Sequence, residues 1–191
     1  MLNKSLLAAL LLSGSLFVNV AGALATNPYP TAYDASYDNK TGAMAMKMHM
    51  LSNGKGLVRS ESDMGNGVKT ISIMDYPKKT CWTIMEKQKM IMKTTLTDEG
   101  AKPMDAEQVK KLKATDLGNK MVNGRMSHGY SYKTAQGTFE TWTDEKAEVL
   151  TKSLSKTGTT SSEMNLTSLT LKVPDDANFK VPTSGYKVIS Q

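Results

Sequence analysis

The residues best suited to chemistry are methionines that alternate along one short segment. Every second position is methionine at Met44, Met46, Met48 and Met50, and the residues between them are small or polar. Successive side chains of a β-strand point to opposite faces, so the pattern predicts a strand whose thioethers share one face. The thioether is flexible and polarizable, which suits a wall that adapts to varied apolar partners, and it also fills ordinary cores.

A shorter run downstream repeats the alternation. Met90 and Met92 flank Ile91 in a segment that also has the pattern of a strand. We predict that the wall of an apolar ligand-binding cavity is formed by Met44, Met46, Met48, Met50, Met90 and Met92. A plain core, in which these methionines only fill gaps, is the alternative, and the sequence leaves both open.

Soft-metal binding is the other chemistry that thioethers support. Cu(I) prefers such ligands, and His49 stands between Met48 and Met50. Strand geometry argues against a mixed site, because alternation turns His49 to the face opposite the methionines. Binding of Cu(I) by methionine alone therefore remains an alternative function. We expect no other metal and no cofactor.

Few residues are suited to covalent chemistry. His49 and His128 are the only histidines, and no Gly-x-Ser-x-Gly elbow accompanies the neighbouring Ser127 and His128. The sequence also has no metalloprotease helix motif and no phosphate-cradling loop. We therefore expect a binding protein without catalytic residues, and we interpret His128 as a strand histidine packed beside Tyr130.

The N-terminal segment has the features of an export signal. Lys4 precedes an apolar stretch that runs to Val20, and the small residues Ala23 and Ala25 fit the cleavage rule. We expect residues 1–25 to be removed as a signal peptide, which makes the protein periplasmic or secreted.

Composition narrows the function further. The formal net charge is +6 at pH 7 and comes mainly from lysine. We interpret the lysines as a solvated face that protects sheet edges, and contact with an anionic partner such as lipid headgroups is the alternative. No dense basic run with interleaved aromatic residues indicates nucleic-acid binding. Cys81 is the only cysteine, so an intrachain disulfide is excluded. A buried thiol is expected, and an intermolecular disulfide is the alternative.

The elements that position these residues are mostly strands. We predict about nine or ten short strands and one amphipathic helix of about three turns, which begins at the capping box of Asp105 and Gln108 and stops at Gly118. Residues 26–40 are interpreted as a flexible leader, and residues 41–191 as one half-barrel domain. The predicted fold is mainly β, a curved antiparallel sheet (an incomplete barrel) with that single helix.

Two finer predictions concern the C-terminal third. The apolar positions of the last long strand change phase near Thr167, which predicts a bulge there. Phe179 and Tyr186 are expected to pin the C-terminal segment to the sheet.

The order of elements resembles the LolA/LolB-like superfamily of periplasmic lipoprotein carriers, and most closely a branch of small exported proteins within it. Three segments carry the resemblance: a glycine before an arginine-bearing strand at 55–61, an aromatic residue before an acidic turn at 139–144, and a closing segment at 176–186 similar to Phe-x-x-Pro-x-Gly-Tyr. In the last segment one extra residue separates Pro182 from Gly185.

The resemblance covers roughly residues 43–189 and implies an open curved sheet with helix closing a cavity that holds acyl chains. The family's carriers have more helix than the single clear helix of this chain, a departure that bears on the lid of the cavity. We expect an exported soluble protein that holds a lipid or acyl chain, carries lipid or lipoprotein, and touches membrane or envelope components transiently. A structural module with a filled core is a third alternative.

Overall fold

The computed structural model describes residues 29–63, 68–96 and 104–190. One sheet of twelve strands dominates these ranges. The strands are β1 (Ala32–Thr41), β2 (Met44–Asn53), β3 (Leu57–Asp63), β4 (Lys69–Asp75), β5 (Thr80–Met85), β6 (Met90–Thr95), β7 (Thr115–Val122), β8 (Arg125–Lys133), β9 (Thr138–Asp144), β10 (Leu150–Thr157), β11 (Thr160–Thr170) and β12 (Lys187–Ser190). The helices are α1 (Ala106–Leu112) and a 3-10 helix (Asp176–Phe179). The predicted signal peptide, residues 1–25, lies outside the described ranges.

The sheet consists of two meanders that meet at its centre. The strand order is β12-β6-β5-β4-β3-β2-β1-β11-β10-β9-β8-β7. The chain runs outward from β1 to β6, crosses to the far edge at β7, and returns until β11 pairs with β1. Neighbouring strands are antiparallel, apart from the parallel pair of β6 and β12. The sheet does not close, so the predicted class, a mainly β fold with an incomplete antiparallel barrel and one α-helix, is confirmed.

Strand β1 corrects the prediction of a flexible leader over residues 26–40. Residues 32–40 belong to this strand, which joins the two halves of the sheet by pairing with β2 and β11. Tyr33, Ala35 and Tyr37 are buried at alternate positions, with polar residues between them. That alternation is the pattern of a half-buried strand. A domain that began at residue 41 would lack its central strand.

Two edge strands, β7 and β12, were missing from the prediction. Most of β7 is exposed, so its sequence has no apolar alternation to reveal it. Gly118, predicted as the helix stop, lies inside β7 with a φ of +69° where the pairing with β8 is irregular. Strand β12 has only 4 residues. Short or irregular edges of this kind discourage pairing with other chains.

Helix α1 begins where predicted and ends sooner. The Asp105 carboxylate accepts the backbone N–H of Gln108 at 2.8 Å, and Gln108 Oε1 accepts that of Asp105 at 3.3 Å, which is the predicted capping box. Lys113 closes the helix in the left-handed conformation after 7 residues, about two turns instead of three. No residue of α1 is buried. Among the described residues, no helix is long and apolar enough to cross a membrane.

The predicted bulge in the last long strand is confirmed. Ser36 of β1 pairs with Ser168, whereas the next residue, Tyr37, pairs with Leu166. Thr167 is therefore the extra residue, and its hydroxyl donates to the Ser36 carbonyl oxygen at 3.0 Å. Because of the bulge, Leu166 before it and Leu169 after it lie on the same face of the sheet.

Strand register divides the sheet into two faces. Residues paired across neighbouring strands share a face, so each face can be followed from strand to strand. The face that carries the even-numbered methionines of β2 is called here the methionine face, and it includes Tyr33, Ala35 and Tyr37 of β1. The other side is called the opposite face.

An apolar cluster on the opposite face anchors the C-terminal segment. Its members are Ile71, Ile73, Ile84 and Ile91 with Trp82, Val181 and Tyr186. Phe179 is buried at the end of the 3-10 helix, where Arg59 donates to the carbonyl oxygen of Asn178 at 3.0 Å. The predicted pinning of this segment by Phe179 and Tyr186 is therefore confirmed.

Candidate functional site

Two rows of paired residues carry the methionine face from β2 to β6. The first row consists of Met50, Ser60, Ser72, Thr83 and Met92. The second consists of Met48, Ser62, Thr70, Met85 and Met90. Each row begins and ends on a predicted site methionine. The other two predicted site methionines, Met44 and Met46, lie on the same face of β2. The structure thus brings all the predicted methionines to one face, and their role in binding stays a prediction.

These methionines differ in exposure. Met46 and Met50 are buried, whereas Met44 is 51% exposed at the hairpin that joins β1 to β2. The half-buried members are Met48, Met90 and Met92. Since a half-buried side chain keeps apolar surface that a ligand can cover, these three have more surface available for contact than the buried Met46 and Met50.

Buried tyrosines lie beside the methionines. Tyr29, Tyr33 and Tyr37 belong to one core cluster with Met50, and the rings of Tyr29 and Tyr76 are 5.7 Å apart. Burial raises the pKa of Tyr29 to about 12 and raises the pKa of Tyr33 and of Tyr37 well above the usual value. The phenols therefore remain neutral at physiological pH. The prediction of a flexible leader over residues 26–40 missed this cluster, although Tyr33, Ala35 and Tyr37 alternate with polar residues in the sequence.

Small hydroxyl side chains occupy the middle of both rows. Ser60, Ser62, Thr70 and Ser72 make no side-chain hydrogen bond to any other residue that the structure describes. A hydroxyl without an internal partner needs water or a ligand, because leaving it unpaired in apolar surroundings costs about 1–3 kcal/mol. The face therefore combines apolar ends with a band of hydrogen-bonding groups.

Ionised side chains are confined to the opposite face through most of the sheet. In the described strands β1–β6 and β9–β11, every Asp, Glu, Lys, Arg and His points away from the methionine face. The outer strands differ, since Asp116 of β7 and His128 of β8 lie on the methionine side. A surface without charged side chains suits contact with an uncharged ligand, because burying an unpaired charge beside hydrocarbon is costly.

Two buried polar atoms on the methionine face of β1 and β9 lack a hydrogen-bond partner among the described residues. They are Oδ1 of Asn39, whose residue is 7% exposed, and Oγ1 of Thr141, whose residue is 2% exposed. Strand pairing places both in one row, called here the polar row: Met46, Asn39, Met164, Ser153 and Thr141. Three strand spacings separate Asn39 from Thr141, or about 14 Å. Sequence reasoning missed this row because only register reveals it.

The histidine of β2 does not join the methionines of that strand. His49 lies on the opposite face, where its Nε2 is 2.7 Å from the Asp34 carboxylate. A mixed His and Met metal site on β2 is therefore ruled out, and a site made of thioethers alone remains a prediction. In the described ranges no group of three His, Cys, Asp or Glu residues could hold a metal ion.

The neighbours Ser127 and His128 point to opposite faces of β8. Ser127 Oγ is 2.9 Å from the Thr151 hydroxyl, whereas the His128 ring packs against Tyr130 with 4.8 Å between ring centres. The predicted packing of His128 beside Tyr130 is confirmed. The two side chains cannot act as a nucleophile and base pair.

Cys81 also lies on the methionine face, paired with Met74 and Thr94. The thiol is half-buried, and burial raises its pKa. A raised pKa keeps it as the unreactive thiol, in keeping with the packing role predicted for it.

Two open clefts lie mainly along the opposite face. The larger, of about 590 Å³, includes Lys40, Glu140 and Glu163, and the smaller, of about 400 Å³, includes Lys47 and Glu61. Both linings carry charge of either sign. They are chemically unlike the methionine face and unsuited to an acyl chain.

Comparison with known proteins finds likeness only in structure. No sequence model of a protein family matches the chain, and no curated protein matches it. An uncharacterized conserved protein from Thermus thermophilus superimposes with a TM-score of 0.64 and 9% identity, over 86% of this chain and 93% of that one. A chain of the Pseudomonas aeruginosa MucA/MucB complex matches with a TM-score of 0.56 and 14% identity, over 87% of this chain and 60% of that one.

A LolA superfamily protein from Nitrosomonas europaea is also among the matches, with a TM-score of 0.43 and 8% identity over 80% of this chain and 91% of that one. The resemblance to the LolA/LolB-like superfamily concerns the fold, and a shared fold is shown by the matches to the Thermus thermophilus protein and to the MucA/MucB chain. At identities this low the matches show the fold alone.

Proposed function

We propose that the protein is an exported binding protein that holds a hydrophobic ligand, such as a lipid or an acyl chain, against the methionine face. The observation that carries the proposal is the segregation of charge, since every ionised side chain of β1–β6 and β9–β11 lies on the opposite face. Ligand sites for apolar molecules combine a mainly apolar wall with a few polar groups that fix orientation.

The side chains of this face suit a ligand of variable shape. Methionine has three rotatable bonds and adapts to different chains, while the buried tyrosines pack beside the methionines as rigid neutral side chains. Each Å² of apolar surface that the ligand covers contributes about 25 cal/mol. Among the predicted site residues, the exposed Met44 and the half-buried Met48, Met90 and Met92 have such surface to cover.

Export belongs to the same proposal. The signal features of residues 1–25 direct the protein to the periplasm or the exterior, where a carrier of lipid or lipoprotein would meet membrane or envelope components transiently.

Native mass spectrometry tests the proposal directly. The protein, purified from the exported compartment of its own cell, should carry a lipid or acyl mass that denaturing extraction releases. A bare mass that stays unchanged after incubation with lipid extract would refute the binding function.

A matched pair of variants in β5 locates the site. Thr83 lies on the methionine face and Thr80 on the opposite face, and both are half-buried. Thr83→Lys should weaken lipid binding by at least about tenfold, since it places a charge beside the ligand, whereas Thr80→Lys should leave binding unchanged. Equal effects of the two substitutions would remove the methionine face from the proposal.

The Cu(I) alternative has its own test. Replacing Met46, Met48 and Met50 together by leucine keeps the apolar wall and removes the thioethers. Loss of stoichiometric Cu(I) binding in the folded variant would support a methionine site. Unchanged Cu(I) binding would exclude it.

A further inference from the structure

The polar row identifies the chemical class of the ligand. We propose that the protein selects a neutral acyl amphiphile, whose ester, amide or hydroxyl group bonds to Asn39 while its chain lies along the methionines. The inference rests on the proposed binding function and specifies it. It follows from unpaired buried atoms and from the absence of charged side chains on the methionine face of the strands that carry them, β1 and β9–β11.

Asn39 is the centre of the inference. It lies in β1, the central strand, with Met46 and Met164 as its cross-strand neighbours. The residue is only 7% exposed, yet its Oδ1 has no partner among the described residues. Buried polar atoms in native proteins ordinarily bond to protein, water or ligand, so an unpaired one among methionines marks a place for a partner.

The chemistry of the side chain defines that partner. A carboxamide offers acceptor lone pairs and N–H donors on one small group. It can therefore accept from a hydroxyl or an amide N–H, and it can donate to an ester or amide carbonyl. Each of these groups occurs where an acyl chain joins the polar part of an amphiphile.

The rest of the row extends the polar contact. Thr141 Oγ1 is a second buried atom without a described partner, and Ser153 lies between it and Met164. A hydroxyl both donates and accepts, so the row can serve a polar group with more than one oxygen. The linkage region of an acyl ester of glycerol has this character.

The same geometry disfavours an ionised head group. Lys40 and Lys47 stand next in sequence to Asn39 and Met46, but alternation turns both to the opposite face. No cation from β1–β6 or β9–β11 reaches the methionine face in the described strands. A carboxylate placed in the row would lose its hydration without gaining an opposite charge.

The test compares two ligands that have the same chain. Displacement of a fluorescent apolar probe would measure the affinities of monooleoylglycerol, which is neutral, and of oleate at a pH where its carboxyl is ionised. The protein should bind monooleoylglycerol at least about tenfold more tightly than oleate. Equal binding, or a preference for oleate, would overturn the inference.

A substitution ties the preference to the row. Asn39→Leu should weaken monooleoylglycerol binding by about fivefold, the value of one neutral hydrogen bond, and change oleate binding by less than about twofold. An unchanged ratio in Asn39→Leu would overturn the assignment to Asn39. Asn39→Ala serves the same purpose if the leucine variant does not fold.

Two controls distinguish a failure of the neutral-ligand preference from a failure of the proposed binding function. Asn165→Leu makes the same exchange on the opposite face of β11 and should keep the parent's preference. If the parent binds neither ligand, the proposed binding function fails. If it binds both equally, the function stands and only the neutral class is wrong.

Discussion

Replacing buried threonine by valine should have opposite effects at two positions in neighbouring strands. Thr141 and Thr151 are 2% and 0% exposed. The substitution keeps the branched shape and exchanges the hydroxyl for a methyl group. Its effect therefore depends on the hydrogen bonds of each hydroxyl.

At Thr141 the hydroxyl has no partner among the described residues. Removing an unpaired buried hydroxyl should raise the free energy of unfolding by about 1–2 kcal/mol. The Thr151 hydroxyl donates to the carbonyl oxygen of Trp142 at 3.1 Å and lies 2.9 Å from Ser127 Oγ. In Thr151→Val the carbonyl oxygen of Trp142 and Ser127 Oγ both lose their hydrogen bond to the Thr151 hydroxyl. This loss should lower the free energy of unfolding by about 1–3 kcal/mol.

The two variants should therefore differ in stability by about 2–5 kcal/mol. For a domain of this size, a difference of about 3 kcal/mol separates the Tm values by about 6–12 °C. Urea unfolding of the lipid-free protein, followed by tryptophan fluorescence, measures the difference, and equal m-values would show that both variants unfold from equally compact states.

The result that would refute this reasoning is a loss of stability in Thr141→Val as large as that in Thr151→Val. It would mean that the Thr141 hydroxyl is paired within the protein. The polar row would then have no free group at that end for a ligand, and the inference would rest on Asn39 alone.

Three further changes have defined outcomes. Gly129→Ala should cost about 1–3 kcal/mol by urea unfolding, since a Cβ there would stand 2.5 Å from an indole ring of the next strand. Met50→Ala should cost about 2–5 kcal/mol because the side chain is buried, whereas the exposed Met44→Ala should cost under about 0.5 kcal/mol, and equal losses would contradict the burial of Met50. Burial opposes the charge of Asp144, but backbone N–H groups and the Arg125 guanidinium at 3.0 Å hold the pKa of this carboxyl below its usual value. Its stabilisation is therefore present above the unfolded-state pKa and lost as the pH falls through the folded pKa, so Asp144→Asn should flatten the fall in stability between neutral and acidic pH.

The strand pattern could be predicted because its cause is local. Side-chain alternation in β2 and β4–β6 assigned the methionines and isoleucines to their faces before any pairing was known. The capping box of Asp105 and the bulge at Thr167 also followed from neighbouring residues. Each of these features depends on contacts that a short segment makes with itself or with its own face.

The errors occurred where long-range pairing decides the structure. Strand β1 was interpreted as a loose leader although Tyr33, Ala35 and Tyr37 alternate with polar residues. What the local sequence did not show is its pairing with β11, which lies more than a hundred residues further along the chain. Strands β7 and β12 are mostly exposed edges whose sequences show no alternation of buried and exposed residues. Local propensity is a weak guide where tertiary pairing supplies the hydrogen bonds.

The sequence by itself determined the composition of each face, because the two-residue period of a strand separates methionine from charge without reference to the rest of the chain. Only the tertiary structure decided which faces meet. Register across β9, β10, β11, β1 and β2 brought Asn39 and Thr141 into one row with methionines. Register depends on the simultaneous pairing of distant segments, and a shift of one residue would have turned these side chains to the other face.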